Sequence, residues 1–174
     1  MRPKEEKFED HFCKKLGDHD YRKRKTENVD LKYNIDVDLL QEFLEKTQSD
    51  ELKEIKDNYG EKWLSEVKKE ILEELESKKL FEVLREGVKV NHQLIKLIYF
   101  KPETSYNKEQ KERYKSNIFS YVRQFRFRDT QESIDIVLFL NGIALITIEL
   151  KSPFNGQVVE DAVVQYINDR DKSL

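Results

Sequence analysis

The sequence predicts an α/β fold, a mixed central sheet flanked by helices with a helical insertion ahead of the sheet. Three observations predict it. Residues 36–84 carry apolar stripes at helical spacing, with Glu and Lys on the opposite faces, several at i,i+4. The period then changes. Ile134 to Leu140 and Ile143 to Leu150 are two almost unbroken apolar runs joined by Asn141-Gly142, a strong hairpin-turn dipeptide. After Ser152-Pro153 the helical period returns, with Val158, Val159, Ala162, Val163, Tyr166 and Ile167 on one face.

Taken in order, Phe8, Phe12 and Leu16 at i, i+4, i+8 predict a short amphipathic helix closing near Gly17. Residues 18–35 are polar and irregular, and the basic run Tyr21-Arg22-Lys23-Arg24-Lys25 reads as a solvated loop. Within 36–84, Leu39, Leu40, Phe43 and Leu44 form one stripe. Leu52, Ile55 and Tyr59 form a second behind an N-cap at Ser49 or Asp50, and Trp63, Leu64, Val67, Ile71, Leu72 and Leu75 a third. These stripes are scaffold, and Gly87 ends the last helix. Gln93 to Phe100 predicts a strand stopped by Lys101-Pro102, residues 102–116 a polar loop, and Ile118 to Arg128 a long strand rich in β-branched and aromatic residues. The two apolar runs, apolar on both faces, belong in the middle of a covered sheet.

A length of 174 residues fits one domain with one sizeable core. Ten Phe, eight Tyr and one Trp argue against disorder, and five Gly and three Pro against low-complexity chains. No apolar run is long enough for a membrane span, and the start has no signal-peptide core. A single Cys excludes an internal disulfide and a Cys-based zinc site, so a reducing cytoplasm is the expected compartment. The net charge is −3, yet residues 36–86 hold 16 acidic and 9 basic side chains, net −7, which leaves +4 for the rest. A locally basic face is compatible with that split.

The chemistry concentrates in 133–151. Hydrophobic central strands do not carry charges without a reason, since buried charge is costly. Asp135 opens the first apolar strand, and Glu149 and Lys151 close the second, two apart and so on one face. A strict two-residue turn at Asn141-Gly142 would set Asp135 opposite Ile148, facing away from Glu149. A three-residue loop would set Asp135 opposite Thr147, so that Asp135, Glu149 and Lys151 share a face. The second register, or an equivalent bulge near Asp135, is the expectation. Two carboxylates and a lysine at sheet ends suit metal-dependent phosphodiester cleavage, with Mg²⁺ on the carboxylates. The bland alternative is a lysine salt-bridged at a sheet edge. On 122–128, Arg126 and Arg128 share a face with Gln124, and Arg123 shares one with Phe125 and Phe127. These arginines suit DNA phosphates. An edge strand protected by charge is the alternative. His11, His19 and His92 lie in separate segments, with no metal role expected, and Asn107, Asn117 and Cys13 read as structural.

Asp135 followed by Glu149-Leu150-Lys151 resembles the PD-(D/E)xK nuclease motif, which is weak alone. The longer string is more specific: Gly87-Val88-Lys89-Val90, Leu97-Ile98-Tyr99-Phe100, Asn117, Val122-Arg123-Gln124, Ile134 through Gly142, Ile148 through Pro153, and Ala162 through Tyr166. In this order it resembles the N-terminal nuclease domain of the restriction (R) subunit of type I restriction-modification enzymes, over most of residues 5–174. The resemblance implies a restriction-endonuclease-like fold in a single domain spanning 1–174, with 36–86 as helical scaffold and 87–174 as sheet and catalytic core. It implies that Asp135 and Glu149 hold one or two Mg²⁺ ions, that Lys151 is catalytic, and that a first-helix acid completes the site. Glu9 is the best match, with Asp10 next. Gln165 matches the family's Gln on the following helix, with Tyr166 and Arg170 as further DNA-contact candidates. The chain departs from many relatives there, carrying Asp169 where they have Tyr.

The implied partners are double-stranded DNA and the methylation (M) and specificity (S) subunits of a prokaryotic, cytoplasmic complex, with no membrane. No glycine here belongs to a GxxxxGK[ST] loop, so ATP would act only through motor domains outside these 174 residues. A fragment with a natural N-terminus is the expectation. Rival readings are a free-standing nuclease of the same fold without a motor, and a non-catalytic module docking on the methyltransferase core.

Overall fold

The computed structural model of the chain describes residues 3–103, 107–127 and 132–150. Helix α1 (Pro3–Asp18) leads into the short strands β1 (Arg22–Arg24), β2 (Val29–Asp30) and β3 (Ile35–Asp36). Four helices follow: α2 (Val37–Thr47), α3 (Ser49–Tyr59), α4 (Trp63–Ser77) and α5 (Leu80–Glu86). Then come β4 (Val88–Val90), β5 (Gln93–Ile95), α6 (Lys108–Lys115), β6 (Phe119–Phe125), β7 (Ile134–Leu140) and β8 (Ile143–Ile148). The main sheet runs β1-β6-β7-β8-β3-β2, and β4-β5 is a separate hairpin. Strand β1 is parallel to β6 and the other neighbours are antiparallel, so the sheet is mixed.

The helical scaffold forms as its apolar stripes dictate. Leu39, Leu40, Phe43, Leu44, Leu52, Ile55, Trp63, Leu64, Val67 and Ile71 are buried in one cluster with β4, β5 and Ile143 of the sheet. Asp36 caps α2 by accepting from the Leu39 amide, and Gly87 ends α5 with a φ of 82°. The cap of α3 is Gln48, without a side-chain bond, rather than Ser49 or Asp50. Buried Gln48 works across the chain instead, exchanging hydrogen bonds with the Lys96 backbone.

Several expected elements are different. The basic run at 21–25 is not a loop, because Arg22–Arg24 pairs with β6 as an edge strand. Its charges have local partners: Arg22 binds Glu42 bidentately, and Arg24 binds Asp36, which is 1% exposed, and Asp38. Strand β5 stops at Ile95 rather than running to Phe100. The polar stretch before β6 contains helix α6, capped by the Asn107 side chain on the Gln110 amide. On α1 the buried face is Glu9 and Cys13 with partly buried Phe12 and Leu16, whereas Phe8 is 50% exposed. The periodicity found the helix but chose a stripe one residue off.

The two ends of the β6–β7 pair hold buried polar groups. At the turn end, Asn141 (φ 51°) and Gly142 (φ 83°) make a two-residue turn, with Leu140 paired to Ile143. The Asn141 side chain accepts from the Ile118 amide and donates to the Leu97 carbonyl and to Asn117 Oδ1. A Cβ at Gly142 would lie 2.3 Å from the Asp36 carbonyl oxygen, so only glycine fits where the turn abuts the start of α2.

Candidate active site

Two strands and one helix bring the acidic residues together at the other end. Between Leu138 and Phe139 the β7–β8 register shifts by one: Phe139 pairs with Ala144, but Leu138 pairs with Ile146. Leu145 is therefore the extra residue of a bulge. From there Val137 faces Thr147 and Ile136 faces Ile148, and the same register carried one residue further sets Glu149 opposite Asp135. Both expected versions of the turn are corrected. The turn has two residues, and the bulge beyond it, not a longer loop, changes the register. The bulge lies near the turn rather than near Asp135.

A second irregularity sits at Asp135 itself. Gln124, across from it on β6, has a φ of 50°, left-handed for a non-glycine residue. Side-chain alternation slips there. Tyr121 and Ile136 pack with Cys13 beneath α1, but Val122 and Phe125, three apart, share the cluster on the other face, as do Ile134 and Val137. The expected common face of Arg123, Phe125 and Phe127 is therefore broken. Arg123 points to α1, while Phe125 and Phe127 pack on the Val122 side. Strand β6 is also interior, between β1 and β7, not an edge.

The slip brings Arg123 and Gln124 to the same carboxylate. Glu9 is 2% exposed. It accepts from Arg123 Nε at 2.5 Å and from Gln124 Nε2 at 3.2 and 3.3 Å. Arg123 also binds Asp10. Burial works against the Arg123 charge, but the bonds to Glu9 and Asp10 outweigh it and raise the guanidinium above its ordinary pKa. Gln124 Nε2 donates as well to Asp135 Oδ1 at 3.2 Å, and Ser133 Oγ donates to Gln124 Oε1 at 3.0 Å. The other oxygen, Asp135 Oδ2, accepts from the Leu150 amide at 2.7 Å. A single amide thus bridges an acid of α1 and the acid that opens β7. Burial pushes the neighbouring Cys13 thiol and Tyr121 hydroxyl up.

Of the sequence candidates, Glu9, Arg123, Gln124 and Asp135 form one connected network, and Glu149 adjoins it through the register. Arg126 is exposed just past β6. Lys151, Gln165, Tyr166, Arg170 and Arg128 lie outside the described residues. The sequence reading missed the bridging role of Gln124 and the contributions of Ser133 and the Leu150 amide. The buried acid Glu9 on an otherwise apolar helix face was the available signal. Among the described residues, no three His, Cys, Asp or Glu side chains group closely enough to hold a metal ion by themselves. The donors nonetheless suit a hard cation in type. Asp135 and Glu149 offer carboxylate oxygens, and among the described residues each Asp135 oxygen accepts one hydrogen bond, which leaves it lone-pair capacity.

A curled mixed sheet with helices against it and acids at the ends of adjoining strands is compatible with the restriction-endonuclease-like class. The chain belongs to the family described as type I restriction enzyme R protein N terminus, whose model matches residues 2–174. Membership implies the N-terminal region of a type I restriction enzyme R subunit. Comparison with curated proteins and with solved structures gave no match. Among the described residues, no helix is long and apolar enough to cross a membrane.

Proposed function

We propose that this domain is the DNA-cleaving module of its R subunit, a Mg²⁺-dependent endonuclease of the PD-(D/E)xK type acting on duplex DNA. ATP-driven translocation would come from motor domains outside these residues, and site recognition from the methylation and specificity subunits. The observation that carries this reading is the register that sets Glu149 across from Asp135, in a chain that belongs to the R-protein N-terminal family.

Asp135 and Glu149 are the residues that would hold Mg²⁺. The chemistry such an ion would supply there is polarisation of the scissile phosphate and a lowered pKa for water. The bonds from Gln124 and the Leu150 amide fix the Asp135 carboxylate before any metal arrives. Lys151 would orient the attacking water and offset charge building on the phosphate, and Gln165 would complete the catalytic set. Arg126, Arg128, Tyr166 and Arg170 hold the DNA backbone. Arg123 and Gln124 serve the acids rather than the phosphates.

The test is nicking of supercoiled plasmid in Mg²⁺ or Mn²⁺ by this chain and by the complete restriction complex, each beside its Lys151→Ala variant. Metal-dependent cleavage by the chain or the complex that disappears in the variant, with ATPase activity of the complex intact, supports the reading. Cleavage that survives in the variant overturns the catalytic assignment.

A further inference from the structure

We infer that Glu9 acts on the metal site through Gln124, as the anchor of a positioning relay for Asp135, and is not itself a metal ligand. The inference rests on the nuclease reading above and deepens it.

The bonding of Glu9 carries the argument. Oε1 is held by the Arg123 Nε–H at 2.5 Å, and both oxygens receive the Gln124 amide. The carboxylate is 2% exposed and its charge is answered by a guanidinium that also holds Asp10. A divalent ion at Glu9 would have to displace or abut that fixed positive charge, at a cost that close like charges always carry in a buried site. Asp135 differs, because both of its oxygens accept from neutral donors, and among the described residues no cationic side chain pairs with it. The acid of this network that offers its charge to a cation is therefore Asp135 rather than Glu9.

Gln124 is built for a bridge. An amide nitrogen has two hydrogens, enough for one bond to Glu9 and one to Asp135. Which end of an amide faces the acids depends on its partners: the two carboxylates only accept, which fixes Nε2 toward them, and Ser133 Oγ then donates to Oε1. The left-handed backbone at Gln124 is what delivers the side chain to the α1 side, against the alternation of β6. Strain of this kind persists where surrounding structure over-determines it, and it clusters at functional sites. Partners behind metal ligands typically set affinity by about 10- to 100-fold.

The test is Mn²⁺ binding to the 174-residue chain, followed by loss of the free-ion electron paramagnetic resonance signal, which reads the site without any cleavage. Gln124→Met keeps the side-chain length and removes the amide, both its donors to the two acids and the acceptor of Ser133 Oγ, and Ser133→Ala tests the second loss by itself. Gln124→Met is expected to weaken Mn²⁺ binding about tenfold or more, and Ser133→Ala to weaken it less. Glu9→Gln is expected to leave one ion bound per site at reduced affinity, whereas Asp135→Ala abolishes that binding. Thermal unfolding of each variant separates weak binding from a failure to fold. Gln124→Met binding Mn²⁺ as tightly as the parent overturns the relay. So does Glu9→Gln losing the ion as completely as Asp135→Ala, which would make Glu9 a ligand. A folded parent chain that binds no Mn²⁺ up to millimolar concentration overturns the nuclease reading itself, a result distinct from the other two.

Discussion

The β6–β7 pair has a buried polar network at each end, and the two are made of different chemistry. At the turn end the participants are amides: Asn141 and Asn117 side chains with the Ile118, Leu97 and Tyr99 backbone. All of it is neutral and every donor named has its acceptor. At the other end Glu9, Asp10 and Asp135 are held by one guanidinium, one amide and one backbone N–H, the amide itself steadied by the Ser133 hydroxyl, with Glu149 adjacent. Negative charge there exceeds positive charge among the network's own members. The first arrangement locks a hairpin onto a helix. The second answers Glu9 and Asp10 with a single guanidinium and holds Asp135 through neutral donors. A neutral lock and a charged candidate site thus stand at opposite ends of one strand pair.

The strongest way to break the comparison is at the turn. Gly142→Ala forces a Cβ to 2.3 Å from the Asp36 carbonyl oxygen and 2.8 Å from the Leu40 nitrogen, both backbone atoms, at a φ of 83°. The left-handed strain alone is worth about 1–3 kcal/mol, and the clash adds to it, so a loss of about 3 kcal/mol or more is expected. Urea unfolding monitored by circular dichroism checks it, and a near-neutral result would mean that α2 is not fixed by this turn.

Asn141→Ala comes next. It strips the Ile118 N–H and the Leu97 carbonyl of their partner in a fully buried position, each a lost bond with its desolvation exposed. A loss of about 2–3 kcal/mol is expected from the same unfolding measurement.

These two positions also mark what the sequence made legible. Asn-Gly between apolar runs announces a turn by its chemistry alone, because both residues tolerate positive φ. The helices of 36–86 were legible for a similar reason: their stripes repeat over enough turns to be unambiguous. Asp135 and Glu149 stood out as charges in apolar strands. The irregularities did not. A bulge at Leu145 has no local signature, since Leu is at home in any strand. The strand at Arg22–Arg24 was hidden because its propensity is poor, and pairing with β6 overrides it. The bridge through Gln124 needs α1 and β6, over 110 residues apart in sequence, to meet. Spacing along one chain cannot encode that contact.

At the acidic end, Arg123→Ala leaves Glu9 buried with, among the described residues, the Gln124 amide as its remaining side-chain donor. Removing one partner of a buried pair is costly, but Arg123 is 24% exposed, so the expected loss is about 2 kcal/mol. An unchanged midpoint would mean that water, not the guanidinium, answers the Glu9 charge. Asp135→Asn sharpens the contrast from the other side. It loses a bond, since its new amide hydrogens face the Gln124 or Leu150 donors, yet it also removes a negative charge near Glu9. The expected stability change is about 1 kcal/mol or less, together with loss of metal-dependent cleavage. A residue that stability does not need and activity does is what a functional site predicts. A large destabilisation by Asp135→Asn would instead make this end structural, like the turn.

An exposed ion pair sets the lower bound for both networks. Arg22 and Glu42 meet bidentately on the surface, with side chains 49% and 44% exposed. The hydrogen bond from Arg22 holds the Glu42 carboxyl below its ordinary value of 4.5. A carboxyl whose folded pKa is depressed stabilises the fold above its unfolded pKa, and that contribution is lost as pH falls through the folded pKa. Solvent screening keeps it small, roughly 0.5 kcal/mol. The parent and Arg22→Ala should therefore differ by that amount at pH 6–7. The gap should begin to narrow as pH falls to the ordinary carboxylate value of 4.5 and close once Glu42 is protonated in the folded state as well. High salt should shrink the gap at neutral pH, whereas the loss in Asn141→Ala should not respond, because no charge is involved there. Paired denaturation curves across pH and salt test both statements. A salt-independent difference at Arg22 would mean that its alkyl stem packing along β1, rather than its charge, holds that edge of the sheet.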